Sequence, residues 1–332
     1  MILNTKGKLA TEIIKLTDNT TSFHMPGHKN GSIYERYGYE ELKDVAKLDI
    51  TEIDGADNLF EADGIIKEAQ ERAKEYYGTK KTYFLVNGTT SGIQSMIMAT
   101  TKPKDKVLVQ RDCHKSVING LILGDLDPIY IYPELKKSEI TMGISPSKLE
   151  KILVENPSIS VVVLTYPNYY GICSDIKTLV DIAHKYDKLI LIDGAHEAHF
   201  RMSQDLPVSA LRVGADIVVH STHKTLPALT QSSMIHVNTD KVDMDRLEEM
   251  LTINQSSSPS YVLMSSLDIA IKIMALEGSK LINNLIMNIK EFKAKARDIR
   301  GVTFLGSELI DDVNIKDMDV TKIVLSLDGI SG

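Results

Sequence analysis

The chain has 332 residues, of which 43% are hydrophobic and 25% charged, a balance typical of a globular protein with a large core. Its net charge of −7, from 45 acidic and 38 basic residues, argues against nucleic acid as a partner, because phosphate binding needs a basic excess or patch. Two cysteines exclude a disulfide framework and favour a reducing compartment. The N-terminus lacks the apolar segment of a signal peptide, and no apolar run approaches the roughly 20 residues that span a bilayer. We therefore expect a cytoplasmic protein that is not bound to a membrane.

Strand-like and helix-like segments alternate along the chain from about residue 60 to residue 240. Apolar side chains at helical spacing predict helices over 64–78, 91–100, 117–124, 146–156 and 174–187. Short apolar runs predict strands over 82–86, 106–110, 128–132, 159–166, 188–193 and 215–220. Strands that are apolar on both faces and alternate with helices predict an α/β fold, with a mostly parallel sheet sandwiched by helices.

The last part of the chain predicts the beginning of a smaller α+β domain. Residues 261–299 have a mostly helical pattern, and 302–306 and 322–327 are strand-like. Because the sequence stops soon after that last strand, we expect a truncated C-terminal domain. The predicted regions are an N-terminal segment over 1–50, a major domain over 51–290 and the start of a C-terminal domain over 291–332.

A glycine-rich turn, Asn-Gly-Thr-Thr-Ser-Gly at 87–92, follows the first predicted strand. Gly88 permits a close backbone approach. The hydroxyls of Thr89, Thr90 and Ser91, with the free N–H groups of a helix N-terminus, favour a phosphate. No Gly-Lys-Ser/Thr follows, so the turn is not a Walker loop. A tight turn with a Thr or Ser cap explains the same residues and stays open as an alternative.

Two other predicted strands end in residues that can carry chemistry. Asp193 closes the strand over 188–193, where a buried carboxylate either pairs with a group such as a protonated pyridine nitrogen or caps the next turn. Lys224 follows the strand over 215–220, where a partly buried lysine can form a Schiff base and an exposed one is an ordinary surface group. A phosphate loop, a carboxylate and an amine, each at a strand end, are what pyridoxal phosphate requires.

Longer stretches occur in an order found in one enzyme family: FHMPGHKNG (23–31), FLVNGTTSG (84–92), IDGAH (192–196) and STHKTLPALTQSSMIHV (221–237). By these stretches the chain resembles the ornithine/lysine/arginine decarboxylases, which have the aspartate-aminotransferase fold (fold type I). The resemblance implies a seven-stranded type of sheet and pyridoxal phosphate as cofactor. It also implies decarboxylation of lysine, arginine or ornithine to the amine and carbon dioxide, as in polyamine metabolism, by a homodimer whose active site lies at the subunit interface.

The resemblance also implies a role for individual residues. Lys224 carries the cofactor as a Schiff base, Asp193 keeps the pyridine nitrogen protonated, and His114 stacks on the ring. Either His223 or Lys224 supplies the proton to the product carbon. Further cofactor contacts are expected from Gly88, Thr89, Thr90, Ser91, Asn168, Ala195, His196, Ser221 and His223. The substrate entrance is expected at His24, Pro26, Gly27 and His28.

One motif departs from the family pattern. Around the Ala195-His196 pair the family often has Asp-Glu-Ala-His-Gly, whereas this chain has Asp193-Gly194-Ala195-His196-Glu197. Glutamate and glycine have exchanged places around an intact Ala-His pair. The resemblance therefore carries over the cofactor contacts but gives Glu197 no role.

Three alternatives stay open. Another reaction on the same cofactor, such as amino transfer, needs an arginine for the substrate carboxylate, and no motif supplies one. A chain that stops inside its second domain can bind the cofactor, or only a partner subunit, without turnover. The histidine pairs His24–His28 and His196–His199 suggest a metalloenzyme, but neither forms the zincin motif, so we predict no metal.

Overall fold

The computed structural model describes residues 8–18, 20–134, 140–306 and 314–329. The helices are α1 (Lys8–Thr17), α2 (Ser32–Arg36), α3 (Glu40–Ala46), α4 (Ile65–Tyr77), α5 (Gly88–Thr100), α6 (Lys115–Leu123), α7 (Pro146–Glu155), α8 (Ile176–Lys185), α9 (Thr222–Thr225), α10 (Met244–Ile253) and α11 (Tyr261–Ala296). The strands are β1 (Lys81–Leu85), β2 (Lys106–Gln110), β3 (Asp127–Ile131), β4 (Ile159–Thr165), β5 (Ile172–Cys173), β6 (Leu189–Asp193), β7 (Ile217–His220), β8 (Ser233–Val237), β9 (Val302–Leu305), β10 (Asp317–Met318) and β11 (Val324–Leu327). Short 3-10 helices lie at Leu59–Glu61 and Phe200–Met202.

Seven strands form the central sheet in the order β1-β8-β7-β6-β4-β2-β3. Strand β2 pairs in parallel with β3 and β4, β4 pairs in parallel with β6, and β1 pairs antiparallel with β8. The other strands form two antiparallel pairs, β5 with β10 and β9 with β11. Helices flank the central sheet. The predicted α/β class with a mostly parallel, seven-stranded sheet is therefore confirmed.

The chain forms two compact units. The first contains residues 1–100 and 219–276, and here α4 and α5 pack on the antiparallel pair of β1 and β8. The second contains residues 101–218 and 277–332, and its core is built on β2, β4 and β6, whose Val and Ile side chains are buried on both faces. The predicted regions over 1–50, 51–290 and 291–332 stay a prediction.

Local sequence explains where several helices begin and end. Ser145 Oγ accepts the N–H of Lys148 at the start of α7, and Asp175 Oδ1 accepts the N–H of Thr178 at the start of α8. Gly78 ends α4 with a φ of 71°, a conformation that glycine adopts without strain. The predicted helices and strands are confirmed, with small differences at their ends. Within the described residues, no helix is both long and apolar enough to cross a bilayer.

Candidate active site

A cluster of three hydroxyls joins strand ends in the first unit. Thr89, in the first turn of α5, lies with its Oγ1 2.7 Å from Ser221 Oγ and 2.9 Å from Ser233 Oγ. Leu85, the last residue of β1, pairs with Ser233, the first residue of β8. Ser221 directly follows β7 and is buried. Two of the predicted cofactor contacts, Thr89 and Ser221, are thus brought together.

The glycine-rich turn forms the beginning of helix α5. Gly88 has a φ of +73°, and Ser91 Oγ donates a hydrogen bond of 2.8 Å to the carbonyl of Gly88. A Cβ at Gly92 would lie 2.5 Å from Cδ1 of Leu85, so only glycine lets the helix pack this closely on β1. Thr90 is exposed. The first-turn N–H groups, which have no partner within the helix, belong to the predicted phosphate turn.

Lys224 lies on the single-turn helix α9, and its side chain is exposed. Of the two alternatives for a lysine here, exposure is the one typical of a surface group, so the Schiff base at Lys224 stays a prediction. The hydroxyls of Thr222 and Thr225, on either side of Lys224 in the sequence, are buried and have no hydrogen-bond partner among the described residues. Buried hydroxyls are normally satisfied, so this pair indicates a site that a polar ligand or water completes.

The neighbour of Lys224, His223, is held by the chain just before β8. Both its backbone N–H and its Nδ1 contact the carbonyl of Ser232, at 3.2 and 3.0 Å. Since a carbonyl can only accept, the ring hydrogen of neutral His223 lies on Nδ1 and Nε2 is the acceptor. This contact fixes the orientation of the imidazole next to Lys224.

In the second unit, the parallel strands β2, β4 and β6 end at one edge. Asp193 closes β6, is 2% exposed, and its Oδ1 accepts the N–H of Ala195 at 3.2 Å. The same residue pairs in register with Thr165, the last residue of β4. Burial, with the charges of Asp112 and Asp193, raises the pKa of the Cys113 thiol to about 11, which keeps that thiol protonated. The carboxylate of Asp193 is thus buried at the end of β6, beside the Cys113 thiol.

His114 caps helix α6. Its Nδ1 accepts the N–H of Ser116 at 3.2 Å and lies 2.8 Å from Ser116 Oγ. The residue is exposed. A cap of this kind fixes the ring and leaves its face open, which is compatible with the predicted stacking on the cofactor.

Asn168 is buried, and its amide binds its own loop and the distant residue Thr141. The Oδ1 atom accepts the N–H groups of Tyr170 and Ile172 at 3.0 and 2.9 Å, and Nδ2 donates to the carbonyl of Thr141 at 2.8 Å. These bonds account for an asparagine at this position without any ligand. The predicted cofactor contact of Asn168 stays a prediction.

The Ala-His pair and Glu197 form a compact turn after β6. Ala195 is buried, and His196 Nδ1 lies 3.2 Å from Lys322 Nζ. Glu197 is also buried, and its Oε2 accepts the N–H of Ala210 at 3.0 Å. A Cβ at Gly194 would lie 3.0 Å from both Cγ and Oε1 of Glu197. The structure thus gives Glu197 the role that the sequence did not provide. Its side chain fills the space that is left because Gly194 has no Cβ.

The predicted entrance loop lies in the first unit and makes local contacts. His28 accepts the N–H of Gly31 at Nδ1 and lies 3.2 Å from Asp49 Oδ2 at Nε2, and its ring stacks on Tyr34 at 5.7 Å. The Nδ1 of His24 lies 2.5 Å from the carbonyl of Met25. Gly27 is exposed, and Pro26 is half-buried. A role of this loop at the substrate entrance stays a prediction.

Sequence reasoning missed two polar residues, of which the first contacts the predicted site residue His196 and the second organises the start of α4. Lys322 was assigned only to a strand, and nothing in its local sequence indicates a contact with His196. Asp57 lies in an acidic stretch, but its carboxylate accepts five backbone N–H groups, including those of Gly64 and Ile66 at the start of α4. Across the described ranges, no group of three or more His, Cys, Asp or Glu could hold a metal ion.

Comparison with known proteins now identifies the family. The family model described as "Orn/Lys/Arg decarboxylase, major domain" matches residues 11–330. The chain belongs to the Orn/Lys/Arg decarboxylase family. An arginine decarboxylase of Bacillus subtilis (strain 168) is 34% identical over 307 residues, which are 92% of this chain and 63% of that protein. The uncharacterized protein YaaO of the same organism is 43% identical over 254 residues, 76% of this chain and 53% of that protein.

Solved structures of the family share the fold. Lysine decarboxylase A from Pseudomonas aeruginosa superimposes with a TM-score of 0.85 at 22% identity, covering 98% of this chain and 52% of that one. The chain thus spans about half to two thirds of the length of the relatives it matches.

The residues of each unit fit pyridoxal phosphate, which the family resemblance implies. The first unit offers an anion site, with the N-terminus of α5 and its hydroxyls, and a lysine flanked by the unpartnered hydroxyls of Thr222 and Thr225. The second unit offers the buried Asp193 carboxylate, a suitable partner for a protonated ring nitrogen. Each chemical requirement of the cofactor therefore has a matching group.

Proposed function

We propose that the chain catalyses the decarboxylation of a basic L-amino acid, lysine, arginine or ornithine, with pyridoxal phosphate bound to Lys224. The observation that carries the proposal is the pair of buried, unpartnered hydroxyls of Thr222 and Thr225 around an exposed lysine, in a chain that matches the decarboxylase family over residues 11–330. The hydroxyls offer donors to a polar ligand, and a lysine amine beside them is the kind of group that forms a Schiff base with an aldehyde.

Each proposed role follows from an atom in the chain. Pyridoxal phosphate, when bound, supplies the electron sink that loss of the carboxylate needs. Asp193 would hold a proton at the ring nitrogen, because a buried carboxylate is stabilised by a cationic partner. The first turn of α5, with Gly88, Thr89, Thr90 and Ser91, and Ser221 would bind the phosphate. His114, Asn168, Ala195 and His196 remain proposed ring contacts.

His223 is proposed to move the proton that replaces the carboxylate. Its Nδ1 hydrogen is donated to the Ser232 carbonyl, so Nε2 is the atom that can exchange a proton with the product carbon. Lys224 is the second candidate for this proton. Comparing deuterium incorporation into the amine by the wild type and His223→Gln decides between them, since loss of stereospecific incorporation in the variant assigns the step to His223.

The first experiment concerns the cofactor. The purified chain is incubated with pyridoxal phosphate, treated with borohydride and digested, and the peptide containing Lys224 is examined by mass spectrometry. We expect the reduced cofactor on Lys224 and none in Lys224→Ala, while Lys67→Ala, an exposed lysine in the same unit, behaves as the wild type. Cofactor fixed equally well in Lys224→Ala would exclude the assignment.

The second experiment concerns the reaction. Release of carbon dioxide from lysine, arginine and ornithine is measured beside transfer of the amino group to a keto acid. We expect carbon dioxide from one of the three and no amino transfer. Amino transfer without carbon dioxide would favour the other reaction on this cofactor, and neither product would mean that this chain binds without turnover.

We also propose a homodimer. The residues between Phe23 and Val45 expose many large apolar side chains, which in proteins mark contact surfaces; they are Phe23, Met25, Ile33, Tyr37, Tyr39, Leu42 and Val45. Sedimentation velocity tests this. Leu42→Glu should lower the dimer fraction, whereas Val154→Glu, an equally exposed apolar residue on α7, should not.

The proposed compartment is the cytoplasm. Cys113 and Cys173 are both free thiols, which is compatible with a reducing environment. Fluorescence of a tagged chain in the cell of origin tests the proposal, and export of the tag would contradict it.

A further inference from the structure

The first part of the described C-terminal segment, around strand β10, pairs with strand β5 of the second unit. Strand β10 pairs with β5, the N–H of Lys316 donates to the carbonyl of Cys173 at 2.8 Å, and the N–H of Asp319 donates to that of Gly171 at 2.8 Å. Ile315 and Met318 are buried in one apolar cluster. Backbone pairing and apolar packing together fix where this segment lies.

A buried carboxylate then shapes the turn that follows β10. Asp319 is 1% exposed, and its Oδ1 accepts the N–H and the hydroxyl of Thr321 at 2.9 and 2.6 Å. Its Oδ2 lies 3.2 Å from Nε2 of His199, which is itself 2% exposed. Because both side chains are buried and paired, these contacts define the course of the turn that leads from Asp319 to Lys322.

The turn presents Lys322 to His196. The Nζ atom of Lys322 lies 3.2 Å from Nδ1 of His196. An ammonium group only donates, so the contact requires an unprotonated Nδ1, and the ring hydrogen of His196 then lies on Nε2. Gly171, with a φ of +85°, makes room for the lysine stem, since a Cβ there would lie 2.9 Å from Lys322 Cγ. The rings of Tyr169 and His196 also pack edge-to-face, with their centroids 5.9 Å apart.

We propose that Lys322 is a positioning residue that sets the tautomer and orientation of His196. The tautomer follows from the geometry alone. Its consequence for the cofactor rests on the function proposed above, in which His196 supports the cofactor ring. A ring held in one tautomer and one orientation is preorganised for its ligand, whereas a ring that must be ordered on binding lowers affinity.

The tautomer is measured directly by nitrogen-15 NMR of histidine-labelled, cofactor-free protein, with His196→Gln identifying the signal. We expect a hydrogen on Nε2 in the wild type and a mixture of tautomers in Lys322→Met. Lys322→Arg keeps a donor and should restore the wild-type pattern. Lys316→Met removes an exposed lysine from the same segment and serves as the control. An unchanged His196 signal in a folded Lys322→Met would overturn the proposal.

The second arm measures binding of pyridoxal phosphate to the wild type, Lys322→Met, Lys322→Arg and Lys316→Met by titration of visible absorbance. We expect Kd to rise roughly fivefold in Lys322→Met, the effect of losing one hydrogen bond, and to return in Lys322→Arg. If the tautomer changes but Kd does not, Lys322 has no positioning role toward the cofactor. If the wild type binds no cofactor at all, the proposed function fails. The NMR result still decides whether Lys322 sets the tautomer of His196.

Discussion

The imidazole of His236 lies 2.8 Å from the hydroxyl of Thr82, measured from Nδ1 to Oγ1, and both residues belong to the antiparallel pair of β1 and β8. The ring is fully buried, with the rings of Tyr77 and His220 at 4.5 and 4.6 Å. Burial, and after it the charge of His220, hold the pKa of His236 well below its ordinary value. A neutral imidazole is therefore part of this core.

The low pKa of His236 predicts that the protein loses stability in mild acid. Unfolding restores the ordinary pKa of about 6.5, so below that pH the unfolded chain binds a proton that the folded chain does not, and stability falls as pH falls. The urea midpoint should therefore drop between pH 7.5 and 5.5, and the drop should be smaller in His236→Leu. Thr82→Val removes the hydrogen bond but keeps the buried ring, so its pH dependence should match the wild type. An equal drop in His236→Leu would assign the acid sensitivity to other groups.

The central elements could be predicted from sequence because their patterns are local. Strands β2, β4 and β6 are continuous apolar runs, and their predicted limits differ from the structure by a residue or so. The glycine-rich turn and Lys224 were noticed because each follows a predicted strand, and Asp193 because it closes one. A local pattern is enough to predict a candidate residue where the residue type and its position at a strand end define the chemistry.

The remaining features depend on distant partners that a single sequence does not reveal. Strand β8 was not predicted, because its Ser233 and His236 are polar and their hydrogen-bond partners, Thr89 and Thr82, are distant in the sequence. Exposure is equally non-local, which is why the sequence left open whether Lys224 is partly buried or, as in the structure, exposed. The short helices α2 and α3 were missed as well, and between them only Ala46 is buried, so they carry almost no apolar pattern.

The low pKa of Asp57 predicts a second loss of stability in acid, at a lower pH than that of His236. Its Oδ2 accepts the N–H groups of Gly64, Ile66 and Lys67 at 2.9, 2.9 and 3.2 Å, at the beginning of α4. Burial raises the pKa of this carboxyl, but the backbone N–H groups outweigh burial and bring it below its ordinary value. Its contribution to stability is thus present above about pH 3.9, the unfolded pKa, and is lost as pH falls through the lower folded value.

Asp57→Asn tests this contribution. It replaces one acceptor oxygen of the carboxylate by an NH2 group, which cannot accept the backbone N–H groups at the start of α4. We expect a loss of about 2 kcal/mol at pH 7, seen as a lower urea midpoint, and a weaker pH dependence between pH 5 and 3. Asp63→Asn, an exposed carboxylate nearby, is the control and should change little. Equal midpoints for the two variants would contradict the assignment.

Asp268 on α11 holds two other helices of the first unit. Its Oδ1 accepts from Nε and Nη2 of Arg72 on α4 at 3.0 and 2.8 Å, and its Oδ2 accepts the N–H of Leu9 on α1 at 3.2 Å. Asp268 is 2% exposed, so Arg72→Met leaves a buried carboxylate without its cation, at a cost of about 3 kcal/mol. The urea midpoint measures this, and Lys67→Met on the same helix is the exposed control. A loss no larger than that of the control would mean that water replaces the arginine.

Substitutions at Gly194 and Glu197 should have coupled effects on stability. A Cβ at Gly194 would lie 2.8 Å from Val218 Cγ1 and 3.0 Å from Glu197 Cγ, so Gly194→Ala overpacks the turn after Asp193 and should cost about 2 kcal/mol. Glu197→Ala alone should also destabilise, because it leaves the buried N–H of Ala210 without its acceptor.

The double variant separates packing between these two residues from packing against the strand. With Glu197 shortened, the added methyl of Gly194→Ala no longer meets Glu197 but still meets Val218, so the two losses measured from urea midpoints should sum to more than the loss in the double variant. Val218 still limits the rescue, and the double variant should remain less stable than the wild type. Strict additivity would show that the exchange of glutamate and glycine around Ala195-His196 is not a compensated pair, and that Gly194 is required by Val218 alone.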